Sequence, residues 1–519
     1  MKTFATMRRT ALQALVLTPT LIIGMSCTQL VEAPKDALTP SNTFKTDQEI
    51  LAGVASVYAS LRNMMWNYYN ISEITTDEMI VPTRGQDWYD NGRWLELHKQ
   101  AWTNSSGSAI NDMDGMWNDL FGGVARANLM ISVLNQSSAA NKDQTVAELR
   151  VLRAWYYYML QDMFGGVPLV TTTDVQQRAR VSRDSIAKFI VAELTAARAN
   201  LPDSWPADQS GRVTKYAADA ILASVYVNAQ VFYGTVTASG LTKGTQQWQN
   251  AIDAANRVIN SGKYSMAANW SSNFSTDNHG SPENIFYVQH TSQPGLGESL
   301  PMRGLHYNEL NVGGGPWNGF ATLAETYRAF DNADVRKGMW LIGQQVSFDT
   351  GLPVNDRQGR PLIFTDTIGN ETAAAENEGP RPNKFPPLTS APAGDAHPNN
   401  FPYFRLAEMY LIRAEGENEL GQTAAAITDV NIVRARAFPG QPGKLLSAGL
   451  TQSQVRDAIF AERLYELAGE AKRRTDMIRA GTYVAAHRFK PAREAFKILM
   501  PIPSTQIQSN PLLQQNPGY

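Results

Sequence analysis

Residues 403–436 read YFRLAEMYLIRAEGENELGQTAAAITDVNIVRAR, and this stretch decides the fold. Its apolar residues recur at helical spacing, which predicts one helix over 403–420 and a second over 424–436. Small or branched residues recur through both segments: Ala414, Gly421, Ala426, Val430 and Val433. Small side chains let neighbouring helices approach closely, so the stretch predicts a tightly packed helix pair.

The intervals between these residues are those of tetratricopeptide repeats, and Pro439 follows just beyond the second helix. Segments 223–231 and 251–258 predict another pair with a long insertion between its helices. An unrelated helical hairpin is the alternative interpretation, because alanine-rich helix crossings are common. Both interpretations predict a mostly α protein.

Helical periodicity recurs along much of the chain, and two regions lack it. We predict loops over 75–108, and loops with a few short strands over 265–400, where most of the proline and glycine lies. Trp117 and Trp155 lie on periodic segments and are predicted to be core residues. The remaining predicted helices cover 50–61, 113–134, 144–164, 183–200, 215–232, 248–261 and 451–480.

The only cysteine, Cys27, follows a short apolar stretch with Lys2, Arg8 and Arg9 upstream. This pattern predicts an export signal over 1–26. Ser26 before the cysteine is typical of a bacterial lipobox, although Gly24 and Met25 depart from it. We predict lipidation of Cys27 and a tether over 27–45; an ordinary secretory signal or a buried structural thiol is the alternative.

Composition narrows the possible partners and excludes disulfides. Lys plus Arg number 46 and Asp plus Glu number 48, a formal charge of -2, and no basic run could follow a phosphate backbone. Nucleic acid is therefore not a predicted partner. No apolar run after the signal approaches the roughly 20 residues needed to cross a bilayer as a helix.

The densest ionic pattern lies on the predicted helix 451–480, where Glu462, Glu466, Glu470 and Arg474 fall four residues apart. Glycosidases need two carboxyls that flank the scissile bond. Carboxylates spaced by four residues share one helix face, with arginines in the same turns, so we predict a structural ion-pair network. The six histidines lack zinc-ligand spacing, and there is no Gly-x-Ser-x-Gly elbow. We predict no catalytic residue, metal site or cofactor.

Aromatic residues mixed with polar ones mark two loop segments, 84–102 and 306–320. Sugar rings stack on aromatic faces while Asn, Asp and Arg bond the hydroxyl groups. Trp88 and Trp317 are predicted to be an exposed pair, and the alternative for each ring is a place in the core. The candidate ligand contacts are Arg84, Trp88, Tyr89, Asn91, Trp94, Trp102, Tyr307 and Trp317.

Several segments follow one another along the chain after the signal: 30–34, 44–46, 51–58, 149–168, Asp334-Val335-Arg336, 405–415, 431–436, 462–479, 501–503 and 510–519. These segments and their order resemble the SusD/RagB family of outer-membrane lipoproteins. The resemblance covers essentially the whole chain after the signal and is strongest in the carboxyl third.

This resemblance implies a right-handed scaffold of tetratricopeptide-like helix pairs with a large loop-rich part. The body over 46–519 would divide into 46–264 and 265–519. The implied function is capture of a glycan or other nutrient at the cell surface, without catalysis, for a SusC-like TonB-dependent transporter. The protein would be lipid-anchored at the outer membrane and face outward. The alternatives are a peptide-binding member, a surface glycoside hydrolase using Asp87 and Asp114, and a purely structural scaffold.

Overall fold

The chain is mainly helical, and the computed structural model describes residues 44, 46–63, 65–104, 107–139 and 141–519. The helices are α1 Asp47–Asn63, α2 Met65–Ile74, α3 Arg93–His98, α4 Ile110–Asn135, α5 Lys142–Phe164, α6 Arg183–Ala197, α7 Lys215–Val227, α8 Ala229–Phe232, α9 Trp248–Ile259, α10 Leu300–Gly304, α11 Ala324–Ala329, α12 Leu406–Glu419, α13 Thr423–Ala437, α14 Gln452–Leu467, α15 Arg473–Ala480 and α16 Ser504–Ser509. The strands are β1 Thr235–Thr237, β2 Gly240–Thr242, β3 Asn284–Val288, β4 Trp340–Leu341, β5 Gly343–Gln344, β6 Ile363–Phe364, β7 Arg381–Pro382 and β8 Phe401–Arg405.

The helix pair predicted over 403–436 is confirmed as α12 and α13. Gly421 turns the chain between them with a φ of 81°, a left-handed value that favours glycine. The first helix begins three residues later than predicted, because residues 401–405 instead form β8 and pair with β3. One apolar cluster joins the two helices through Ala407, Leu411, Ala414, Ala426, Val430 and Val433.

The second predicted pair is confirmed as α7 packed on α9, with the β1–β2 hairpin in the insertion between them. The predicted helix 215–232 is interrupted at Asn228, which separates α7 from α8. Neighbouring contacts continue from α4 through α5, α6, α7, α9 and α12 to α13. At the α9–α12 crossing, a Cβ on Gly416 would lie 2.9 Å from Ile252, so the close approach needs glycine.

The single helix predicted over 451–480 is wrong. It is broken between Leu467 and Arg473, where Gly469 and Ala471 have φ values of 75° and 59°. Two buried carboxylates hold this turn: Glu78 accepts from Gly469 N at 2.7 Å and Glu73 accepts from Ala471 N at 2.6 Å. Both carboxylates lie nearly 400 residues away in sequence, so local periodicity could not reveal the break.

The middle of the chain has the predicted loops and short strands, and each two-stranded sheet is antiparallel. The predicted loop over 75–108 is partly wrong, because α3 forms within it. Trp117 and Trp155 are buried as predicted. The loops 84–92 and 305–320 lie outside the helical stack, and Phe320 at the end of the second loop belongs to the main core.

The predicted signal 1–26, Cys27 and all of the 27–45 tether except Phe44 lie outside the described residues. Their lipidation and export remain predictions. Among the residues that the structure describes, no helix combines the length and apolarity needed to cross a membrane.

Candidate ligand-binding site

The two aromatic loops predicted from the sequence meet in the structure. Trp88 Nε1 donates a hydrogen bond to the backbone oxygen of Trp317 at 2.7 Å. Tyr307 donates its hydroxyl proton to Asp87 Oδ2 at 2.8 Å. Residues more than two hundred positions apart are thus fixed against each other by side-chain hydrogen bonds.

A cluster of aromatic rings lies beneath these contacts. Trp88 packs edge-to-face against Trp94 with ring centroids 5.1 Å apart, and Trp66 packs similarly against Trp317 at 6.1 Å. Phe320 lies 6.0 Å from Trp94 and completes the cluster. Such edge-to-face contacts fix ring orientation beyond what burial alone would do. Trp66 was not predicted to belong to the site, because it lies on α2, a helix that was not predicted, and outside the two aromatic loops.

A buried cation supports the aromatic cluster from below. The Arg303 guanidinium lies 4.6 Å from the Trp66 ring centre and 5.5 Å from that of Phe320. Its Nη1 donates to Asn70 Oδ1 at 3.1 Å. Cation–π contacts strengthen when the cation is shielded from water, so Arg303 holds the rings in place rather than facing solvent.

The loop over 88–91 is strained and presents one ring to solvent. Trp88, Asp90 and Asn91 have φ values of 60°, 36° and 54°, which non-glycine residues seldom adopt. Asp90 Oδ2 accepts from Trp94 Nε1 at 2.5 Å, and Trp88 packs against Gly319, where a Cβ would lie 2.4 Å from the indole. Backbone strain of this kind concentrates at functional sites.

Tyr89, the remaining residue of this loop, has 55% of its surface exposed. Among the Phe, Trp and Tyr residues that the structure describes, Tyr89 is the only one whose side chain is exposed rather than buried or half-buried. A flat ring held in solvent by a strained backbone is suited to stacking on a ligand.

A frame of charged and polar groups lies beside this loop. Arg357 donates to Asp87 Oδ2 at 2.6 Å, also bonds Glu376, and stacks on Tyr307 with 4.4 Å between the guanidinium carbon and the ring centre. Glu376 Oε2 lies 3.1 Å from His306 Nε2. Burial lowers the pKa of His306, although Glu376 acts against this. The frame can offer fixed donors and acceptors to ligand hydroxyls.

Three of the predicted contact residues have buried side chains, which leaves no surface for a ligand to touch in this structure. Trp94 and Trp102 are 2% and 0% exposed, and Trp102 Nε1 donates to the hydroxyl of Tyr519 at 2.8 Å. The buried guanidinium of Arg84 donates to the backbone oxygens of Ala375 and Glu378. These residues hold the loops and the carboxyl terminus in place.

The expected exposed pair is also corrected. Trp88 and Trp317 are both half-buried, since each packs within the aromatic cluster. Tyr307 is half-buried, whereas Tyr89 and Asn91 are exposed. Contact between these residues and a ligand remains a prediction.

The glutamates that resembled an acid–base pair belong to a buried ion network, as predicted, but its partners differ from those expected. Arg336 donates to Glu462 at 2.7 Å and to Glu466 at 2.8 Å. Arg405 donates to Glu466 at 2.5 Å and to Glu470 at 2.7 Å. The arginines come from distant segments rather than from the same helical turns.

This network also accounts for the Asp334-Val335-Arg336 motif. Asp334 accepts from Arg336 Nη2 at 2.7 Å, which orients the guanidinium toward α14. Within the described part of the chain, no group of three or more His, Cys, Asp and Glu side chains is arranged to hold a metal ion.

Comparison with known families gives two adjoining matches. The family described as "SusD family" matches residues 237–519, and the family described as "Starch-binding associating with outer membrane" matches residues 34–227.

Two relatives of similar length match this chain over most of its length. A SusD-like protein of Formosa agariphila is 25% identical over 95% of this chain and 97% of its own. "Starch-binding protein SusD" of Bacteroides thetaiotaomicron is 24% identical over 87% of this chain and 85% of its own.

Solved structures share the fold. A "Laminarin binding SusD-like protein" superposes with a TM-score of 0.74 at 23% identity, covering 92% of this chain and all of its own. "Surface glycan-binding protein A" of Bacteroides thetaiotaomicron, solved with laminarihexaose, gives 0.69 at 21% identity over 91% of this chain and all of its own. At this identity the likeness establishes a common architecture.

Proposed function

The chain belongs to the SusD family, and from this premise we propose that it captures oligosaccharide at the cell surface and delivers it to a TonB-dependent outer-membrane transporter without catalysis. The exposed ring of Tyr89 in its strained loop carries the proposal. A relative is named for starch and two structural neighbours for laminarin or laminarihexaose, which favours a glycan as the ligand.

The arrangement suits sugar recognition because it combines one exposed ring with fixed polar groups. A pyranose ring can stack on Tyr89, while Asp87 and Arg357 stand in the adjoining frame to bond its hydroxyls. Their mutual ion pair leaves no net charge between these two groups. Trp88 and Trp317 provide the wall behind the loop.

We expect Tyr89→Ala to weaken glycan binding about two- to tenfold, because one aromatic stacking contact is worth roughly 0.5–1.5 kcal/mol. The ring is exposed, so thermal stability should stay within a few degrees of the wild type. Isothermal titration with the tightest glycan from an array that includes laminarihexaose and soluble starch measures the change.

Tyr89→Phe is the matched control, since it keeps the ring and removes only the hydroxyl. It should retain most of the affinity. Unchanged binding in Tyr89→Ala would remove Tyr89 from the site. Trp317→Ala tests the same surface less cleanly, because the indole also packs on Trp66 and its loss would lower stability.

Delivery and anchoring are tested together on membranes. Solubilised in mild detergent, the protein should co-purify with a large β-barrel in near-equal amount, since each copy is proposed to deliver its ligand to one transporter.

The lipid anchor is tested by substitution. Cys27→Ser, which cannot be acylated, should fold, bind glycan normally and leave the membrane fraction. A wild type that purifies alone would contradict delivery, and a membrane-bound Cys27→Ser without acyl chains would contradict the anchor.

The hydrolase alternative receives little support from Asp87 and Asp114, because Asp114 lies on α4 rather than in the aromatic loops. Asp87 is bonded by Tyr307 and Arg357, whereas Asp114 accepts from the hydroxyl of Thr505 at 3.2 Å near the carboxyl terminus. They contact different elements, and no shared partner joins them among the described hydrogen bonds. Sustained release of new reducing ends from a bound glycan would favour a hydrolase over a binding protein.

A further inference from the structure

The charged frame beside the Tyr89 loop contains one fully buried histidine, His306. The two nitrogens of its ring have different partners. The backbone N–H of Asn308 donates to His306 Nδ1 at 3.2 Å, and His306 Nε2 lies 3.1 Å from Glu376 Oε2. A backbone N–H group can only donate a hydrogen bond, so Nδ1 is the acceptor and carries no proton.

The bond at Nδ1 fixes the protonation state of the ring. The single proton of a neutral imidazole is then on Nε2, which donates it to Glu376. A doubly protonated ring would direct its Nδ1–H at the N–H of Asn308. Burial lowers the pKa of His306, which agrees with a neutral ring, although Glu376 acts to raise it. His306 therefore orients a carboxylate without adding charge to the frame.

The turn that carries His306 is itself held in place. The backbone N–H of His306 donates to Glu309 Oε2 at 2.5 Å, and Glu309 N donates to the backbone oxygen of His306 at 3.0 Å. The backbone oxygen of Glu309 accepts from Phe348 N at 2.7 Å. These bonds leave the imidazole little freedom to turn away from Glu376.

Glu376 binds Arg357 through both of its carboxylate oxygens. Oε1 accepts from Arg357 Nε, and Oε2, the oxygen that His306 contacts, accepts from the backbone N–H of Arg357 at 3.2 Å. The Glu376 side chain is 14% exposed, whereas that of Arg357 is 46% exposed. Exposed ion pairs contribute little unless their geometry is well defined. The order of Arg357 therefore depends on a carboxylate that His306 holds.

Arg357 connects this carboxylate to the loop that presents the exposed ring. Its Nη2 donates to Asp87 Oδ2, two residues before Tyr89, and its guanidinium stacks on the Tyr307 ring. Arginine has several rotatable bonds, so fixing its side chain only when a ligand binds would cost affinity. A guanidinium that is already fixed avoids this cost.

We propose, on the basis of the proposed function, that His306 is a positioning residue of the glycan site. Through Glu376 it fixes Arg357 in the orientation from which the guanidinium donates to a sugar hydroxyl. The His306 side chain has no exposed surface, so it acts on the ligand only through these two residues.

The test is His306→Asn, measured by isothermal titration with the glycan chosen for Tyr89→Ala. Asparagine can present an oxygen to Asn308 N, as Nδ1 does, but its side chain ends there and does not reach Glu376. We expect glycan binding to weaken about two- to tenfold, because Arg357 must then be ordered on binding. His306→Gln, whose longer amide can donate to Glu376, should lose less affinity. Wild-type affinity in His306→Asn would overturn the proposal.

His397→Asn is the matched control. His397 is also fully buried, and its Nδ1 accepts from the backbone N–H of Leu388 at 2.9 Å, but its Nε2 has no hydrogen-bond partner in the described part of the chain. The same substitution should lower thermal stability to a similar extent and leave glycan affinity unchanged. An equal loss of affinity in His397→Asn would assign the effect to general destabilisation and overturn the proposal.

Two further measurements ask whether His306 acts through Arg357. When Arg357 is already replaced in Arg357→Met, adding His306→Asn should cause no further loss of affinity, and a second, independent loss would overturn this route. A ligand-free crystal structure of His306→Asn should show the Arg357 side chain displaced from Glu376 and Asp87, and an unchanged Arg357 would overturn the proposal. If the wild type binds no glycan in the array, the proposed function fails, and the ligand-free structure still decides the role of His306.

Discussion

Glu466→Gln is expected to lower the free energy of unfolding by about 3–5 kcal/mol at neutral pH, the usual cost of removing one partner from a buried charge network. Glu466 Oε1 accepts from Arg405 and Arg436, each at 2.5 Å, and Oε2 accepts from Arg336 at 2.8 Å. Glutamine keeps the shape but removes the negative charge that these three guanidinium groups share. It also directs an amide N–H toward one of them.

Glu419→Gln is the matched control, because Glu419 pairs with Arg456 near the surface, where Arg456 is half exposed. Its loss should cost under about 1 kcal/mol. Urea unfolding followed by circular dichroism measures both free energies of unfolding. The comparison requires that the free energy fall with urea concentration at the same slope in each variant. Similar small losses in the two variants would contradict the central role of the network.

The same network predicts sensitivity to acid. Burial acts to raise the pKa of Glu466, but Arg436, Arg405 and Arg336 outweigh it and lower the pKa below its ordinary value. A carboxylate with a depressed folded-state pKa stabilises the fold above its ordinary pKa. That contribution is lost as the pH falls through the folded-state value.

Glu298→Gln is expected to do the opposite and stabilise the protein by about 2–4 kcal/mol at pH 9, with no difference near pH 4. Burial raises the pKa of Glu298 from 4.5 to about 8, although Leu300 N donates to Oε2 at 2.7 Å and Arg303 also acts to lower it. Its other oxygen, Oε1, has no hydrogen-bond partner.

The direction of this stability change follows from the number of protons that the folded and unfolded states bind. Between about pH 4.5 and 8 the folded protein keeps the proton on Glu298 while the unfolded chain loses it, so wild-type stability falls as the pH rises through this window. Glutamine does not titrate and can still accept from Leu300 N. Unfolding free energies at pH 4, 7 and 9 measure the divergence.

Glu325→Gln provides the control for Glu298→Gln, because the Glu325 side chain is 62% exposed. Its stability relative to the wild type should change little across the same pH range. A constant difference between Glu298→Gln and the wild type from pH 4 to pH 9 would mean that Glu298 is ionised in the folded protein.

The sequence located the candidate site better than it ranked the residues within it. Both aromatic loops were predicted, and they do meet, but the preferred pair Trp88 and Trp317 is half-buried while Tyr89 is exposed. Polar and glycine neighbours suggested exposure for Trp88. The edge-to-face packing on Trp94 and the contact with Gly319 could not be read from those neighbours.

The sequence by itself determined the helix pairs, because a helix that buries one face must repeat small and apolar residues with a period near 3.6. It also indicated that Glu466 and its neighbouring glutamates form a structural ion-pair network rather than a catalytic pair. Only the tertiary structure decided which arginines neutralise those glutamates, where the helix after Leu467 breaks, and which ring faces solvent. Each of these depends on contacts between residues far apart in the chain, and no local spacing encodes them.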